Sequence, residues 1–215
     1  MPELAEVEYY RKQWQPAISQ SITAVCINAS KRVFRGLDSE ALRRGLLGET
    51  FTGSATHGKQ MCFRFGTKHW LGVHLGMTGK THILAPSERP QKHDHLVLQM
   101  SSGVSLSFRD PRMFGRILYS YTNNKPSWWA MLPPEILSTN FTLEYLSRFL
   151  DRRSRSPIKA VLLMQETFPG LGNWMADEIL WRSRIHPKIM AGNLSTYKRK
   201  KLYRRTQEVS LDALK

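Results

Sequence analysis

Acidic residues are scarce in this chain of 215 residues: 17 Asp and Glu stand against 32 Lys and Arg, a formal charge of +15. Such an excess opposes compaction unless a polyanion balances it, and nucleic acid is the commonest partner of that kind. Ribosomal and membrane-surface proteins are also this basic, so charge nominates a partner class and leaves the activity open. Cysteine is scarcer still. Cys26 and Cys62 lie isolated on strand-like segments, which excludes a CxxC zinc site and suits small apolar filler in a reducing compartment. No apolar run approaches the ~20 residues of a membrane span. A basic region followed by an apolar stretch is missing at the N-terminus. The expectation is a soluble, cytoplasmic monomer with no membrane contact, nucleoid-associated if bacterial, and with no internal repeat.

What is present changes texture along the chain. PELAEVEYYRKQW places Leu4, Val7, Tyr10 and Trp14 on one helical stripe, with Pro2 at the helix start where its fixed φ is harmless. SITAVCINAS, QMCFRF, WLGVHL, HLVLQM, VSLSFR and RILYS then alternate with period two and are separated by turn residues. Strands of this kind without helices between them predict an antiparallel sandwich. KPSWWAMLPPEIL reads as a connector. Beyond it, TLEYLSRFL after a Thr142 cap, IKAVLLMQE after Ser156-Pro157, WMADEILWRSR and STYKRKKLYRRTQEV are helical. The fold class is therefore α+β: a helix and β-sandwich over residues 1–125, a connector over 126–140, and an all-α domain over 141–215.

Several segments have a chemical and a plain structural reading. PGLGNWMADEIL is a glycine turn entering a helix, either an ordinary tight turn or an anion site built from unpaired N–H groups near Asn173. LGMTGK and FRDPRMFG put Met77, Arg112 and Phe114 at strand ends, as core residues or as wedges between bases. Lys59 in HGKQM stands at the start of a strand and reads there as a solvated surface lysine. His74, His93 and His95 lack the spacing of a metal site, which leaves phosphate contact or plain surface histidine. The six basic residues between Tyr197 and Arg205 are a solvated helix face or a nucleic-acid contact.

Taken in order, MPELAEVE, HGKQM, VHLGMTGK, KHDHLVL, FRDPRMFG, LPPEIL, IKAVLLMQ and GLGNWMADEILWRSRIHP resemble formamidopyrimidine-DNA glycosylase and its relative endonuclease VIII, from the first residue to about residue 190. The resemblance implies a β-sandwich joined to a helix–two-turns–helix domain. It also implies a DNA repair glycosylase with AP lyase activity, acting on damaged double-stranded or abasic DNA without metal or cofactor. Pro2, freed by removal of Met1, would attack C1′ of the damaged nucleotide. An α-amine titrates near about 7.7–8.0, so part of it is neutral and nucleophilic at neutral pH. Elimination at the 3′ and then the 5′ phosphate would follow. Glu3 would be the general acid on the sugar ring oxygen, with Glu6 and Lys59 completing the catalytic set. Lys59, His74, His93, Lys159 and Asn173 match phosphate-binding positions. Met77, Arg112 and Phe114 match the residues that fill the void left by an extruded nucleotide.

The sequence departs from the family pattern in three places. Ala5 replaces a second proline, and Met113 replaces a second arginine. The family's lesion-capping loop and zinc-finger hairpin have no counterpart before Lys215. The expected member is thus a short one without a zinc finger, favouring abasic sites and ring-opened or oxidised bases over 8-oxoguanine. Two alternatives stand beside it. One is a catalytically weak damage- or structure-specific DNA-binding protein that has lost base excision with the finger. The other is a basic ribosome-associated protein.

Overall fold

The computed structural model describes all of residues 1–215. The chain divides into two compact units, one containing Met1–Pro2 and Glu6–Met131, the other Glu3–Ala5 and Leu132–Lys215. The residues 126–140 expected as a connector are shared between them.

In the first unit, eight strands form two antiparallel sheets. One has the order β1 (Ile22–Ile27), β6 (Asp94–Met100), β7 (Ser105–Arg109), β5 (Lys80–Leu84). The other has the order β2 (Phe51–His57), β3 (Gln60–Phe65), β4 (His69–His74), β8 (Arg116–Tyr121). Their facing side chains make one core: Ile22, Leu96, Leu98, Leu106 and Phe108 from the first sheet join Phe51, Phe63, Phe65, Leu71, Val73 and Ile117 from the second. Each such side chain contributes roughly 1.5–3 kcal/mol on burial. Val7, Tyr10 and Trp14 deliver the helical stripe of α1 (Leu4–Gln13) and the turn after it into this core, with Trp14 fully buried at 4.5 Å from the Phe63 ring. The Trp14 indole N–H donates to the His82 carbonyl at 3.2 Å.

Two expectations about this unit need correction. Helix α2 (Ser39–Leu46) interrupts the strands between β1 and β2. Its signals are local: Asp38 accepts from the Glu40 and Ala41 N–H groups, and Leu42 and Leu46, one turn apart, are buried. The cysteines also differ from each other. Cys62 is buried filler, whereas Cys26 is exposed on β1. The tryptophans of KPSWWAM form a helical turn, α3 (Ser127–Ala130), in which the Trp128 indole N–H donates to Ser120 Oγ at 2.9 Å. A β-carbon on Gly72 would stand 2.9 Å from the Trp128 ring, so glycine lets that ring lie close on β4.

The second unit is helical: α4 (Leu143–Arg152), α5 (Ile158–Leu162), α6 (Asn173–Ser183) and α7 (Thr196–Ala213). Thr142 caps α4 by accepting from the Tyr145 N–H at 3.0 Å, as the sequence indicates. Ser156 does not cap α5. Pro157 occupies that position with no side-chain cap, and the Ile158 N–H donates instead to the Ile189 carbonyl at 2.8 Å. Leu146, Phe149, Leu162, Phe168, Met175, Ile179, Leu202 and Val209 build the core of this unit, and Leu4 of α1 packs against it. Helix α6 ends at Arg184 in the left-handed conformation, φ 54°, which closes its last turn before His186-Pro187.

Candidate active site and nucleic-acid interface

Glu3 is 5% exposed and serves as the cap of α6. One carboxylate oxygen accepts from the Gly172 N–H at 2.9 Å and the Met175 N–H at 3.2 Å, and the other accepts from the Trp174 N–H at 3.2 Å. Beside it, the Leu4 N–H donates to the Gly170 carbonyl at 3.0 Å. The start of α6 is therefore not the open anion site that the glycine turn suggests. Three of the N–H groups there are already taken by a carboxylate from the far end of the chain. The exposed Asn173 stands clear of this arrangement.

Gln165 shapes the turn that presents those N–H groups. Its amide donates to the Leu163 and Leu171 carbonyls at 3.0 and 2.8 Å and accepts from the Gly170 N–H at 3.0 Å. Gly170 sits at φ 91°, a conformation open to glycine. Lys159, on α5, lies 2.7 Å from Asp177 in an ion pair, so a phosphate there would have to compete with a carboxylate.

On the first unit, Pro2 is half-buried and Glu6, one turn into α1, is exposed. Lys59 occupies the two-residue turn between β2 and β3 after Gly58, φ 57°, and is only 7% exposed. The next residue, Gln60, pairs with His74 across β3 and β4. His74 Nδ1 accepts from the Gly76 N–H at 3.1 Å. Burial holds its pKa below the ordinary imidazole value, and the charges of Lys59 and Arg35 add to the effect. Arg35 is fixed by donating to the Gly115 carbonyl at 2.8 Å. The strand register thus brings Lys59 and His74 together, and Arg35, outside the strands and with no spacing signal in KRVFRG, adds a second cation near the imidazole.

Asp110 organises the two loops that bear the expected void-filling residues. It is fully buried, with Oδ1 accepting from the Thr78 hydroxyl at 2.8 Å and Oδ2 from the Gly115 N–H at 2.7 Å. Its backbone carbonyl accepts from the Met113 N–H and lies 2.9 Å from His95 Nε2, and its own N–H donates to the His93 carbonyl at 3.1 Å. At Gly76, φ 64°, a β-carbon would lie 2.5 Å from the Gly115 nitrogen, so the two loops touch backbone to backbone. Met77 and Phe114 stand 46% and 42% exposed on them. The Arg112 guanidinium lies 5.0 Å from the Phe114 ring centre. Met113, at φ 55°, packs inward against the core. His93 is partly exposed, its ring 6.2 Å from that of His95. Nowhere do three His, Cys, Asp or Glu side chains converge as metal ligands would.

Residues 1–117 match the formamidopyrimidine-DNA glycosylase N-terminal domain, and residues 132–215 match the H2TH domain of the same enzyme. The chain belongs to the formamidopyrimidine-DNA glycosylase family. It is 35% identical to the formamidopyrimidine-DNA glycosylase of Lactobacillus delbrueckii subsp. bulgaricus, over all of this chain and 78% of that protein. It is 36% identical to that of Legionella pneumophila over 91% of this chain and 71% of the relative. Among solved structures, a complex between Lactococcus lactis Fpg and DNA containing an abasic site superposes with a TM-score of 0.88 at 30% identity, covering 99% of this chain and 78% of the other. MutM bound to DNA containing carbocyclic 8-oxo-G gives 0.89 at 30% identity, covering 99% of this chain and 81% of the other. For a member of this family, Asp110, Gln165 and Arg35 are the supporting residues that sequence reasoning missed. Asp110 sat in view within FRDPRMFG, and only its burial reveals what it does.

Proposed function

We propose that the chain is a DNA repair glycosylase that also cleaves at abasic sites, with Pro2 as nucleophile once Met1 is removed. The observation that carries this reading is the seat of Glu3. Three backbone N–H groups of the α6 start hold both of its carboxylate oxygens. The residue next to the nucleophile is thereby fixed in place, as an acid that must meet one particular sugar oxygen needs to be.

In the proposed reaction the Pro2 nitrogen forms a bond to C1′ of the damaged nucleotide and the base leaves with its bonding electrons. Glu3 takes the proton that the Pro2 nitrogen loses after bond formation and passes it to the ring oxygen as the sugar opens, giving an iminium that is cationic without protonation. That cation acidifies the C2′ hydrogen. Loss of that proton expels the 3′ phosphate, and a second elimination expels the 5′ phosphate. Glu6 and Lys59 assist at the amine and the lesion. His74, His93, Lys159 and Asn173 hold phosphates, with Lys159 exchanging Asp177 for the backbone. Met77, Arg112 and Phe114 enter the space vacated by the extruded nucleotide, and their contacts offset a cost of a few kcal/mol. Damaged DNA as the partner agrees with the complexes of the structural neighbours.

Borohydride trapping on a duplex with one abasic site tests the reading, with the intact mass recorded first to establish that Met1 is gone. A covalent adduct lost in Pro2→Gly is expected. Tight binding without an adduct or strand scission would replace this reading with that of a damage-binding protein.

A further inference from the structure

Helix α7 is built against its own electrostatics. Six of its first ten residues are Lys or Arg, and no acid appears before Glu208. Cations near a helix N-terminus oppose the macrodipole, and like charges three or four residues apart repel. Lys198 and Lys201, Lys200 and Arg204, and Lys201 and Arg205 are all such pairs. The contrast with α1, α2 and α4 is direct, because each of those carries a glutamate in its first turn.

Two of the six cations are neutralised within the fold. Arg199 pairs with Asp151 at 2.7 Å, and Arg205 pairs with Glu208. Lys198, Lys200, Lys201 and Arg204 have no carboxylate partner. Leu202, Thr206 and Val209 mark the buried side of the helix. At 3.6 residues per turn, Lys200 and Arg204 project exposed from the opposite side, with Lys201 half-buried at its edge, beside Tyr197, which is 72% exposed. From Tyr197 to Arg204 this stripe runs about 10 Å along the helix axis. A DNA strand passes about three phosphates in that distance.

We propose that the outer face of α7, carried by Lys200, Lys201 and Arg204, is a second DNA contact that grips the phosphate backbone of a duplex whether or not it is damaged. It lies outside the residues assigned to the lesion and rests on the reading of DNA as the partner. The three cations form no pair that folding could use, and a row of phosphates removes their mutual repulsion. Tyr197 supplies a hydroxyl at one end.

The test is a salt titration of binding to a long undamaged duplex, read by fluorescence anisotropy, comparing the whole chain with Lys200→Ala/Lys201→Ala/Arg204→Ala. Alanine preserves the helix, and far-ultraviolet circular dichroism verifies it. The slope of log affinity against log salt should shrink by about two to three in magnitude, near 0.9 for each phosphate no longer neutralised. Affinity at moderate salt should fall at least tenfold on damaged and undamaged duplexes alike. Trapping at saturating protein should be unchanged. Arg43→Ala/Arg44→Ala on α2 removes charge elsewhere and should leave the slope nearly intact. An unchanged slope in the triple variant, or an equal loss per charge in the α2 variant, overturns the second contact while trapping stands. Failure of the unmutated chain both to bind and to trap would overturn the DNA reading and the second contact together.

Discussion

Gly172 and Glu3 lie so close that a β-carbon on residue 172 would stand 2.1 Å from the Glu3 carboxylate. Gly172→Ala should therefore eject the carboxylate from the start of α6. Hydrogen bonds to a charged group contribute about 1.5–3 kcal/mol each. A loss of roughly 2–4 kcal/mol in urea unfolding is expected, as for disruption of a buried polar network. Borohydride trapping should fall in parallel, although residue 172 touches no reacting atom. Wild-type trapping in a correctly folded Gly172→Ala would separate the cap from the chemistry.

His74 should titrate below its ordinary value of 6.5 because burial, Lys59 and Arg35 all disfavour its charged form. The unfolded chain then binds the extra proton first, so this group contributes stability at neutral pH that is lost as pH falls below the ordinary value. Arg35→Gln should move the midpoint upward in an NMR titration. No movement would remove Arg35 from the set of charges acting on the imidazole.

Asp110→Asn keeps the shape of the side chain and puts an amide where two donors converge. The amide oxygen can still accept from the Gly115 N–H, but the NH2 then faces Thr78, whose hydroxyl must turn from donor to acceptor. Discrimination between an abasic duplex and an intact one should drop about tenfold, as expected for roughly 1.4 kcal/mol of misplaced interaction. Competition binding with the two duplexes measures the ratio, and an unchanged ratio would mean that the loops hold their form without the carboxylate.

Asp94 makes a two-point ion pair with Arg109, both bonds at 2.8 Å. Burial alone would raise its pKa. Hydrogen bonds from Arg109 and the Gln91 N–H, with the Arg109 charge, outweigh burial and hold it at about 2. The depressed carboxylate contributes roughly 2 kcal/mol above its unfolded pKa, and that stability disappears as pH falls from about 4 toward 2. Asp94→Asn should flatten this part of the pH–stability curve in chemical denaturation.

The two thiols should separate under Ellman's reagent. Burial pushes Cys62 up to about 12, while Cys26 is exposed. One fast equivalent is expected from the native chain and two after denaturation, with Cys26→Ser removing the fast one.

The order of elements was legible because it rests on local period: the strands alternate, Thr142 caps α4, and the stripe of α1 reaches Trp14. Helix α2 is invisible to alternation alone although Asp38, Leu42 and Leu46 announce it, because eight residues between strands then resemble a loop. At the candidate site, residue types and their sequence order suggested which side chains matter. They did not indicate what each one touches. Glu3 reaching Gly172, Lys159 paired with Asp177, and Asp110 bridging Thr78 and Gly115 are all tertiary contacts that leave no mark on neighbouring letters.

Asp110 also bears on how such a protein can change. The side chains at 77, 112 and 114 point outward, while their backbone is tied through Thr78, Gly115 and one carboxylate behind them. Variation at the three tips leaves the frame intact, and a change at the frame disturbs all three tips together. Under the proposed role of these tips in the extruded nucleotide's space, new lesion preferences would be reachable by single steps there, and a library that randomises 77, 112 and 114 while keeping 78, 110 and 115 fixed is the efficient way to search for them.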